Sequence, residues 1–368
     1  MTTSQQSDLQ HAGQVLAALL KASVEANCSD IHLRAGKPPF GRVGGNLVQM
    51  QGSVITQKEI DNMIQVITGH PIPTGRTSAF EFSFEQRGIA RFRGHAFRAG
   101  GVWALALRSV PLQIPSFNEL NLPVIFQELA QVQPGLVLVA GPTGSGKSTT
   151  VAALLQKLAA ESTLHVVTIE DPIEYKLGDV PSCVTQREVG ADTPSYEEAL
   201  RSALREDPDI LFLGEIRDSH SLEVVMNAAE TGHMVVSTFH TTNAVQTIQR
   251  LVSMFATEDH DNIRDRLADS LRAIVCQRLI PSKDGGTEQI LVSESLFNNY
   301  ATKECIRDRS RLRGLIQVLE RSQDQYMHTF DQDLLRLVKE GRVNVDQAAA
   351  MSSSAANFRR ALTMGGKR

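Results

Sequence analysis

The sequence predicts an α/β protein in which a small mixed α/β domain precedes a larger domain with a parallel sheet and a helical C-terminal extension. Between residues 135 and 258, short and nearly uniform apolar runs alternate with helical stretches, as in a parallel sheet that is covered on both faces. A proline-rich stretch, residues 111–123, separates these runs from the alternating short segments before it. Such a stretch is typical of a linker between domains.

The composition is that of an ordinary globular protein. The chain has 368 residues, 42% of them hydrophobic, and a formal net charge of −4, so it has no bulk electrostatic reason to coat nucleic acid or an anionic membrane. No apolar run approaches the ~18 residues of a membrane-spanning helix, and the first residues lack the basic and apolar regions of a secretion signal. We therefore expect a cytoplasmic protein with no integral membrane segment and no nucleic-acid partner.

The first domain, residues 1–110, is predicted to contain one helix and an antiparallel sheet. Apolar residues recur near helical spacing over residues 14–26, which predicts a helix there. Short alternating segments punctuated by Gly and Pro predict strands joined by tight turns. These strands are expected at residues 30–33, 41–48, 80–84, 90–97 and 102–107.

The second domain, residues 124–368, is predicted to alternate strands with helices and then to become helical. Its apolar runs predict parallel strands at residues 136–140, 164–169, 209–213 and 234–237. From about residue 258 onward, helical periodicity predicts helices over residues 259–278, 312–321, 331–340 and 345–351. The final segment, residues 352–368, has the composition of a weakly ordered tail.

Residues 141–148 read GPTGSGKS and match the phosphate-loop pattern G-x-x-x-x-G-K-[ST]. The segment follows a predicted strand and opens a predicted helix, which is the context that the pattern requires. Its glycines let successive N–H groups turn inward around phosphate oxygens, and the helix N-terminus attracts anions. Lys147 can reach the β- and γ-phosphates, and the Ser148 hydroxyl can ligate Mg²⁺. The candidate nucleotide-binding residues are Gly141, Pro142, Thr143, Gly144, Ser145, Gly146, Lys147, Ser148 and Thr149.

Two predicted strand ends supply acidic residues for the same site. Residues 209–217 read DILFLGEIR, so Glu215 follows a buried strand where a carboxylate can hold Mg²⁺ through water. If Glu215 serves the metal, the group that orients the attacking water comes from elsewhere. Residues 168–175, TIEDPIEY, place Glu170, Asp171 and Glu174 at the end of another strand. Strand ends on one edge of a parallel sheet share a ligand crevice, and the residues alone leave the choice among these three acids open.

His233 and His240 stand on either side of the predicted strand 234–237. A neutral imidazole can hydrogen-bond a γ-phosphate and respond to its loss. We therefore expect both histidines to lie beside the nucleotide, with structural hydrogen bonding as the alternative.

These segments resemble the secretion and type IV pilus motor ATPases, most closely the PilT class of pilus-retraction (twitching motility) ATPases. GPTGSGKSTT is similar to that family's Walker A loop, TIEDPIEY to its aspartate box, ALREDPDILFLGEIRD to its Walker B region and AAETGHMVVSTFHT to its histidine box. In the N-terminal half, SDIHLRAGKPP and RFRGHAFRAGG also match. The resemblance covers nearly the whole chain. It implies a PAS-like N-terminal domain, a RecA-like P-loop ATPase domain and a homo-hexameric ring that uses ATP and Mg²⁺.

The resemblance also implies roles for single residues. Glu174 takes the place of the catalytic glutamate and Glu215 that of the metal-linked acid, beside Lys147, Ser148 and His240. The ring would supply N-terminal-domain arginines to the nucleotide, and the matching positions are Arg91, Arg93, Arg98 and Arg108.

The implied function is that of a motor that powers type IV pilus retraction from the cytoplasmic face of the inner membrane. Its implied partners are the platform protein of the pilus base and a paralogous motor ATPase. Residues 301–308, ATKECIRD, depart from the AIRNLIRE motif of retraction ATPases. The alternatives are therefore an accessory motor of the PilU type, or the ATPase of a secretion or conjugation system.

Overall fold

The computed structural model describes residues 3–72, 77–110, 113–178, 180–283, 288–323 and 326–365. Its internal contacts divide the chain into two compact units, Met1–Gln113 and Ile114–Arg368. Both units mix helices and strands, so the predicted α/β fold class is confirmed. Within the described ranges, every helix is too short or too polar to span a bilayer.

The first unit is an antiparallel sheet with two helices. In chain order its elements are α1 (Thr3–Glu25), β1 (Cys28–Arg34), β2 (Phe40–Val43), β3 (Asn46–Gln49), α2 (Gln57–Thr68), β4 (Ala79–Gln86), β5 (Ala90–Ala99) and β6 (Val102–Val110). The strands lie in the order β3-β2-β1-β6-β5-β4. Alternate strand residues such as Phe92 and Leu105 join Leu20 and Met63 from the helices in one core. The sheet therefore buries one face and leaves the other polar.

Two details of this unit differ from the sequence-based prediction. The predicted strand 41–48 is the hairpin β2–β3, because Gly44 and Gly45 both have positive φ and turn the chain back. Helix α2 was not predicted. Thr56 and Glu59 form a capping box at its start, so the T-x-x-E spacing before an apolar run was the available signal.

The second unit contains a sheet of seven described strands, of which six run parallel and one edge strand is antiparallel. Their order is β13 (Gln289–Phe297), β12 (Leu271–Pro281), β7 (Gly135–Ala140), β11 (Met234–Phe239), β10 (Ile210–Leu213), β8 (His165–Glu170) and β9 (Cys183–Glu188). The elements around its centre are α3 (Ile125–Leu129), β7 (Gly135–Ala140), α4 (Lys147–Glu161), β8 (His165–Glu170), β9 (Cys183–Glu188), α5 (Tyr196–Ala203), β10 (Ile210–Leu213), α6 (Ser219–Glu230), β11 (Met234–Phe239) and α7 (Ala244–Val252). Apolar clusters cover both sheet faces, which explains why the predicted strands read as uniform apolar runs. All four predicted strands are present.

The C-terminal part is less helical than predicted. Its elements are α8 (His260–Ser270), β12 (Leu271–Pro281), β13 (Gln289–Phe297), α9 (Tyr300–Arg307), α10 (Leu315–Arg321), α11 (Phe330–Lys339), α12 (Val345–Met351) and α13 (Ala355–Gly365). The predicted helix 259–278 is wrong beyond Ser270, because the chain there enters β12, which pairs with β7 and β13. A short apolar run that is buried on both sides has no periodicity to distinguish strand from helix.

The last segment is also more ordered than predicted. Helix α13 covers most of residues 352–368, and its Phe358 is only 2% exposed. The prediction of a weakly ordered tail is therefore wrong as far as Gly365, while residues 366–368 lie outside the described part of the chain.

Residues 114–123, predicted as linker, lie in the second unit. Phe117 is buried in the cluster that contains α4, and the Lys157 ammonium lies 5.5 Å from the centre of its ring. Residues 111 and 112 lie outside the described ranges, and the proposed domain boundaries stay a prediction.

Candidate nucleotide-binding site

The predicted phosphate loop connects the end of β7 to the first turn of α4. Gly144 and Gly146 have φ values of +80° and +85°, which favour glycine, and Gly146 caps the helix. A Cβ at Gly141 would collide with Ser145 Oγ and with the carbonyl oxygen of Gln277. The loop therefore needs glycine for its backbone conformation at two positions and for close packing at a third.

Lys147 lies inside this loop rather than in solvent. Its side-chain Nζ donates to the carbonyl oxygens of Gly141 and Pro142, both at 2.9 Å, and the residue is only 8% exposed. Burial lowers the pKa of Lys147, whereas the negative charges of Glu215 and Glu174 act in the opposite direction. The fold thus brings the loop lysine and two acids from separate strand ends into electrostatic range of one another.

Glu215 stands just beyond the end of β10, where ties to the neighbouring strands hold the backbone. The Gly214 N–H donates to Ile169 O at 2.8 Å, and Thr238 Oγ1 donates to Gly214 O at 2.6 Å. The carboxylate of Glu215 lies 3.7 Å from His240 Nε2. The carboxyl ends of β8, β10 and β11 therefore meet at one edge, as the sequence predicts.

The two predicted histidines lie at opposite ends of β11. His240 follows the carboxyl end of the strand, and its pKa is lowered by burial and by the charge of Lys147, which favours the neutral imidazole. His233 precedes the strand, and its Nδ1 lies 3.0 Å from Ala228 O. About 20 Å of extended chain separates the two residues. His240 therefore stands at the phosphate-loop end of β11 and His233 at the other end, and the contact of either histidine with nucleotide stays a prediction.

The three acids of TIEDPIEY occupy different environments. Glu170 is 9% exposed and accepts hydrogen bonds from Thr168 Oγ1 at 2.7 Å and Gln186 Nε2 at 3.1 Å. Asp171 lies 3.4 Å from Arg217 Nη1. Glu174 is exposed, on the loop between β8 and β9. Of the three, Glu174 combines exposure with electrostatic proximity to Lys147.

Burial raises the pKa of Glu170 to about 7 from an ordinary 4.5. Between these two pH values the folded chain binds more protons than the unfolded chain, so this carboxyl destabilises the fold as pH rises. Glutamine cannot ionise, so we expect the free energy of unfolding of Glu170→Gln to rise above that of the native chain as the pH increases from 5 to 8. The difference should reach up to about 3 kcal/mol. Denaturant unfolding at a series of pH values measures this difference, and a difference that is constant with pH would contradict it.

The four predicted arginines belong to the first unit and do not share one face of its sheet. Arg93 lies opposite Arg108 in the β5–β6 pair, and Arg91 is two residues from Arg93, so these three point to the polar face. Arg93 pairs with Glu81 at 2.9 Å, and Arg108 with Asp30 at 2.8 Å. Arg98 has the opposite strand parity, and its guanidinium lies 5.0 Å from the centre of the Trp103 ring.

Residues that the sequence analysis did not single out also contact the site. Arg217 donates to Glu215 Oε2 at 3.2 Å, and its guanidinium lies 5.1 Å from the ring centre of Tyr196. The Tyr175 hydroxyl lies 2.9 Å from Thr149 Oγ1 and connects the loop of Glu174 to helix α4. The Arg217 contact could have been found from the sequence, because Arg217 follows Glu215 by only two residues. The Tyr175 contact joins residues 26 positions apart and has no local signal in the sequence.

A glycine loop with a buried lysine, joined by acids from neighbouring strand ends, defines a P-loop nucleotide-binding protein. Comparison with known proteins identifies the class more closely. A family profile described as "Type II/IV secretion system protein" matches residues 108–361. The type IV pilus retraction ATPase PilT of Pseudomonas aeruginosa is 37% identical over 345 residues, which cover 93% of this chain and 99% of PilT. The pilus ATPase PilU of the same organism is 35% identical over 349 residues, which cover 94% of this chain and 91% of PilU.

Solved structures agree with these sequence matches. A crystal structure of the pilus retraction motor PilT with bound ADP has a TM-score of 0.84 and 37% identity, and the match covers 94% of this chain and 98% of PilT. The ATPase DotB of Legionella pneumophila has a TM-score of 0.74 at 26% identity, over 89% of this chain and 92% of DotB. The chain therefore belongs to the type II/IV secretion system protein family and, within it, to the PilT class of ATPases.

Proposed function

We propose that this protein is a cytoplasmic, Mg²⁺-dependent ATPase motor that powers type IV pilus retraction. The observation that carries the proposal is the buried ammonium of Lys147 inside the Walker A loop, in electrostatic range of Glu174 and Glu215. Similarity along nearly the whole chain to PilT, including a structure of PilT with bound ADP, supports ATP as the nucleotide.

The proposed chemistry assigns one task to each side chain at the strand ends. Lys147 exchanges its two loop carbonyls for oxygens of the β- and γ-phosphates, so that it neutralises charge where the bond breaks. Glu174 accepts a proton from the attacking water. Glu170 is buried, and Asp171, although exposed, pairs with Arg217, which leaves Glu174 as the exposed acid whose charge acts on Lys147. His240 contacts the γ-phosphate from the end of β11.

Ser148 and Glu215 are the residues that we propose to hold Mg²⁺, which would neutralise the phosphate oxygens when bound. A hydroxyl in the first turn of α4 and a carboxylate at the end of β10 are the hard oxygen ligands that this ion prefers. The phosphate loop also fits its ligand, because Ser145 Oγ is buried and has no hydrogen-bond partner among the described residues. An oxyanion in the loop would supply that missing acceptor.

Removal of divalent metal is expected to stop ATP hydrolysis by the native protein. Phosphate release measured with a chelator should fall to background and recover when Mg²⁺ is added in excess of the chelator. Hydrolysis at the native rate in the presence of the chelator would contradict the proposed metal requirement.

We also propose that six copies form a ring in which the first unit of one copy supplies arginines to the nucleotide of its neighbour. Arg91, Arg93 and Arg108 share a sheet face and are better placed to act together than Arg98. Sedimentation with and without ATP tests the ring, since a chain that stays monomeric in both conditions would contradict it. In the cell, the ring would engage the platform protein of the pilus base at the inner membrane.

Deletion of the gene tests pilus retraction directly. We expect the deletion strain to lose twitching and to carry an excess of surface pili. The native gene and the Lys157→Ala variant should restore twitching, whereas Lys147→Ala should not. Partial retraction in the deletion strain would favour an accessory PilU-type motor, for which the 35% identity to PilU is the supporting observation. Normal pili with failed protein export would favour a secretion or conjugation ATPase instead.

A further inference from the structure

The loop that carries Glu174, residues 171–178, is in neither a helix nor a strand. Side chains, rather than a regular hydrogen-bond ladder, hold its backbone. Glu188 Oε2 accepts from the Ile173 N–H at 3.1 Å, and the Glu174 N–H lies near the Glu170 carboxylate, where it acts to lower the pKa of Glu170. Since the loop makes no regular secondary structure, the position of Glu174 depends on these side-chain contacts.

Gln186, on strand β9, binds the part of the loop that follows Glu174. Its Nε2 donates to Tyr175 O at 2.9 Å and to Glu170 Oε1 at 3.1 Å. Its Oε1 accepts from the Leu177 N–H at 2.9 Å. A carboxamide offers two N–H donors and an acceptor oxygen on one planar group, and all three functions are used here. A carboxylate or a hydroxyl of similar size does not offer this set.

The contacts of Gln186 lie before and after Glu174 in the chain, so they can hold Glu174 in position. Gln186 binds Glu170, whose carboxylate lies near the Glu174 N–H, and it also binds Tyr175, the residue that follows Glu174. The Tyr175 hydroxyl in turn contacts Thr149, next to Ser148 in the first turn of α4. Gln186 thus binds residues on both sides of Glu174, and Tyr175 connects the same loop to the helix that begins at the phosphate loop.

We infer that Gln186 is a positioning residue for ATP hydrolysis, whose carboxamide holds the loop so that the Glu174 carboxylate faces the phosphate loop. This inference rests on the proposed role of Glu174. Because the proposed role of Gln186 acts through Glu174, its loss should slow the chemical step and leave nucleotide binding intact.

Gln186→Glu is the sharpest test, because it keeps the shape and removes both N–H donors. The new carboxylate can still accept from Leu177, but it repels Glu170 and the carbonyl of Tyr175. We expect kcat to fall on the order of 10- to 100-fold, with nucleotide affinity within about threefold of native. The matched control is Gln156→Ala, because Gln156 Nε2 donates to Gly178 O at the far end of the same loop. The control should keep kcat within about twofold.

A second variant and a combination keep the inference testable if Gln186→Glu folds poorly. Gln186→Met removes every hydrogen bond without adding charge and should show the same loss of kcat at unchanged affinity. Added to Glu174→Gln, either change should alter the residual rate by less than about twofold, because the residue through which Gln186 acts is already disabled. A full additional loss in that background would overturn the inference and assign Gln186 a general structural role.

The outcomes separate this inference from the proposed function on which it rests. Native kcat in both Gln186 variants, with Glu174→Gln inactive, overturns the positioning role and leaves Glu174 as the base. Native turnover in Glu174→Gln overturns both. A change in nucleotide affinity that accounts for the whole loss of activity also overturns the positioning role, because it places the defect in binding.

Discussion

Replacing Lys147 by alanine is expected to lower kcat/KM for ATP hydrolysis on the order of 10³-fold, because the charge that meets the β- and γ-phosphates is lost from a buried site. In the structure the ammonium is 8% exposed and held by two loop carbonyls. Water therefore does not readily replace it. Steady-state phosphate release measures the loss of turnover, and calorimetry measures the loss of nucleotide affinity.

The control for this substitution is Lys157→Ala. Lys157 lies half-buried on the same helix α4, where it pairs with Glu161 and lies over the Phe117 ring, so it reproduces the change in charge without touching the phosphate loop. Its activity should stay within about twofold of native. Hydrolysis by Lys147→Ala at the level of this control would show that the Walker A loop is not the site of catalysis.

Glu174→Gln is expected to retain ATP binding and to lose turnover by about 10²- to 10⁴-fold, which is the range for removal of a general base. Glutamine has the same shape and can still orient water by a hydrogen bond, but it cannot accept the proton. Because the loop is held mainly by contacts to its backbone, the substitution should leave the loop in place. Single-turnover hydrolysis, together with binding of a fluorescent nucleotide, separates chemistry from affinity.

Glu197→Gln is the matched control for that experiment. Glu197 is an exposed residue of α5 that pairs with Arg201, and an exposed pair of this kind contributes little to stability. We expect native turnover for the control. Equal activities of the two variants would remove Glu174 from the mechanism and direct attention to Asp171, which lies on the same loop.

The phosphate loop was the most predictable part of this molecule because its signal is local. The pattern of 141–148 encodes both the turn and the start of α4. The four central strands were predictable because a parallel strand covered on both faces is apolar along its whole length. The same property explains the failure at β12. The centre of that strand, residues 273–276, is also uniformly apolar, but the strand directly follows α8, so the sequence contains no boundary between the two.

The position of the histidines shows a second limit of the sequence. Both flank one strand, and only the direction of β11 relative to β7 decides which of them stands at the end that carries the phosphate loop. That end belongs to His240. Likewise, the choice among Glu170, Asp171 and Glu174 is a question of burial and pairing, which depends on β9 and Arg217.

The amino-acid sequence by itself determined the class of fold, the phosphate loop and the strand ends from which the acids come, because each of these is a short-range pattern of glycine, charge and apolar residues. Only the tertiary structure decided which of those residues meet. Gln186 reaches Glu170, Tyr175 and Leu177 because β9 lies beside β8 in the sheet. Contacts of this kind arise from strand order, and strand order is a property of the whole chain rather than of any segment.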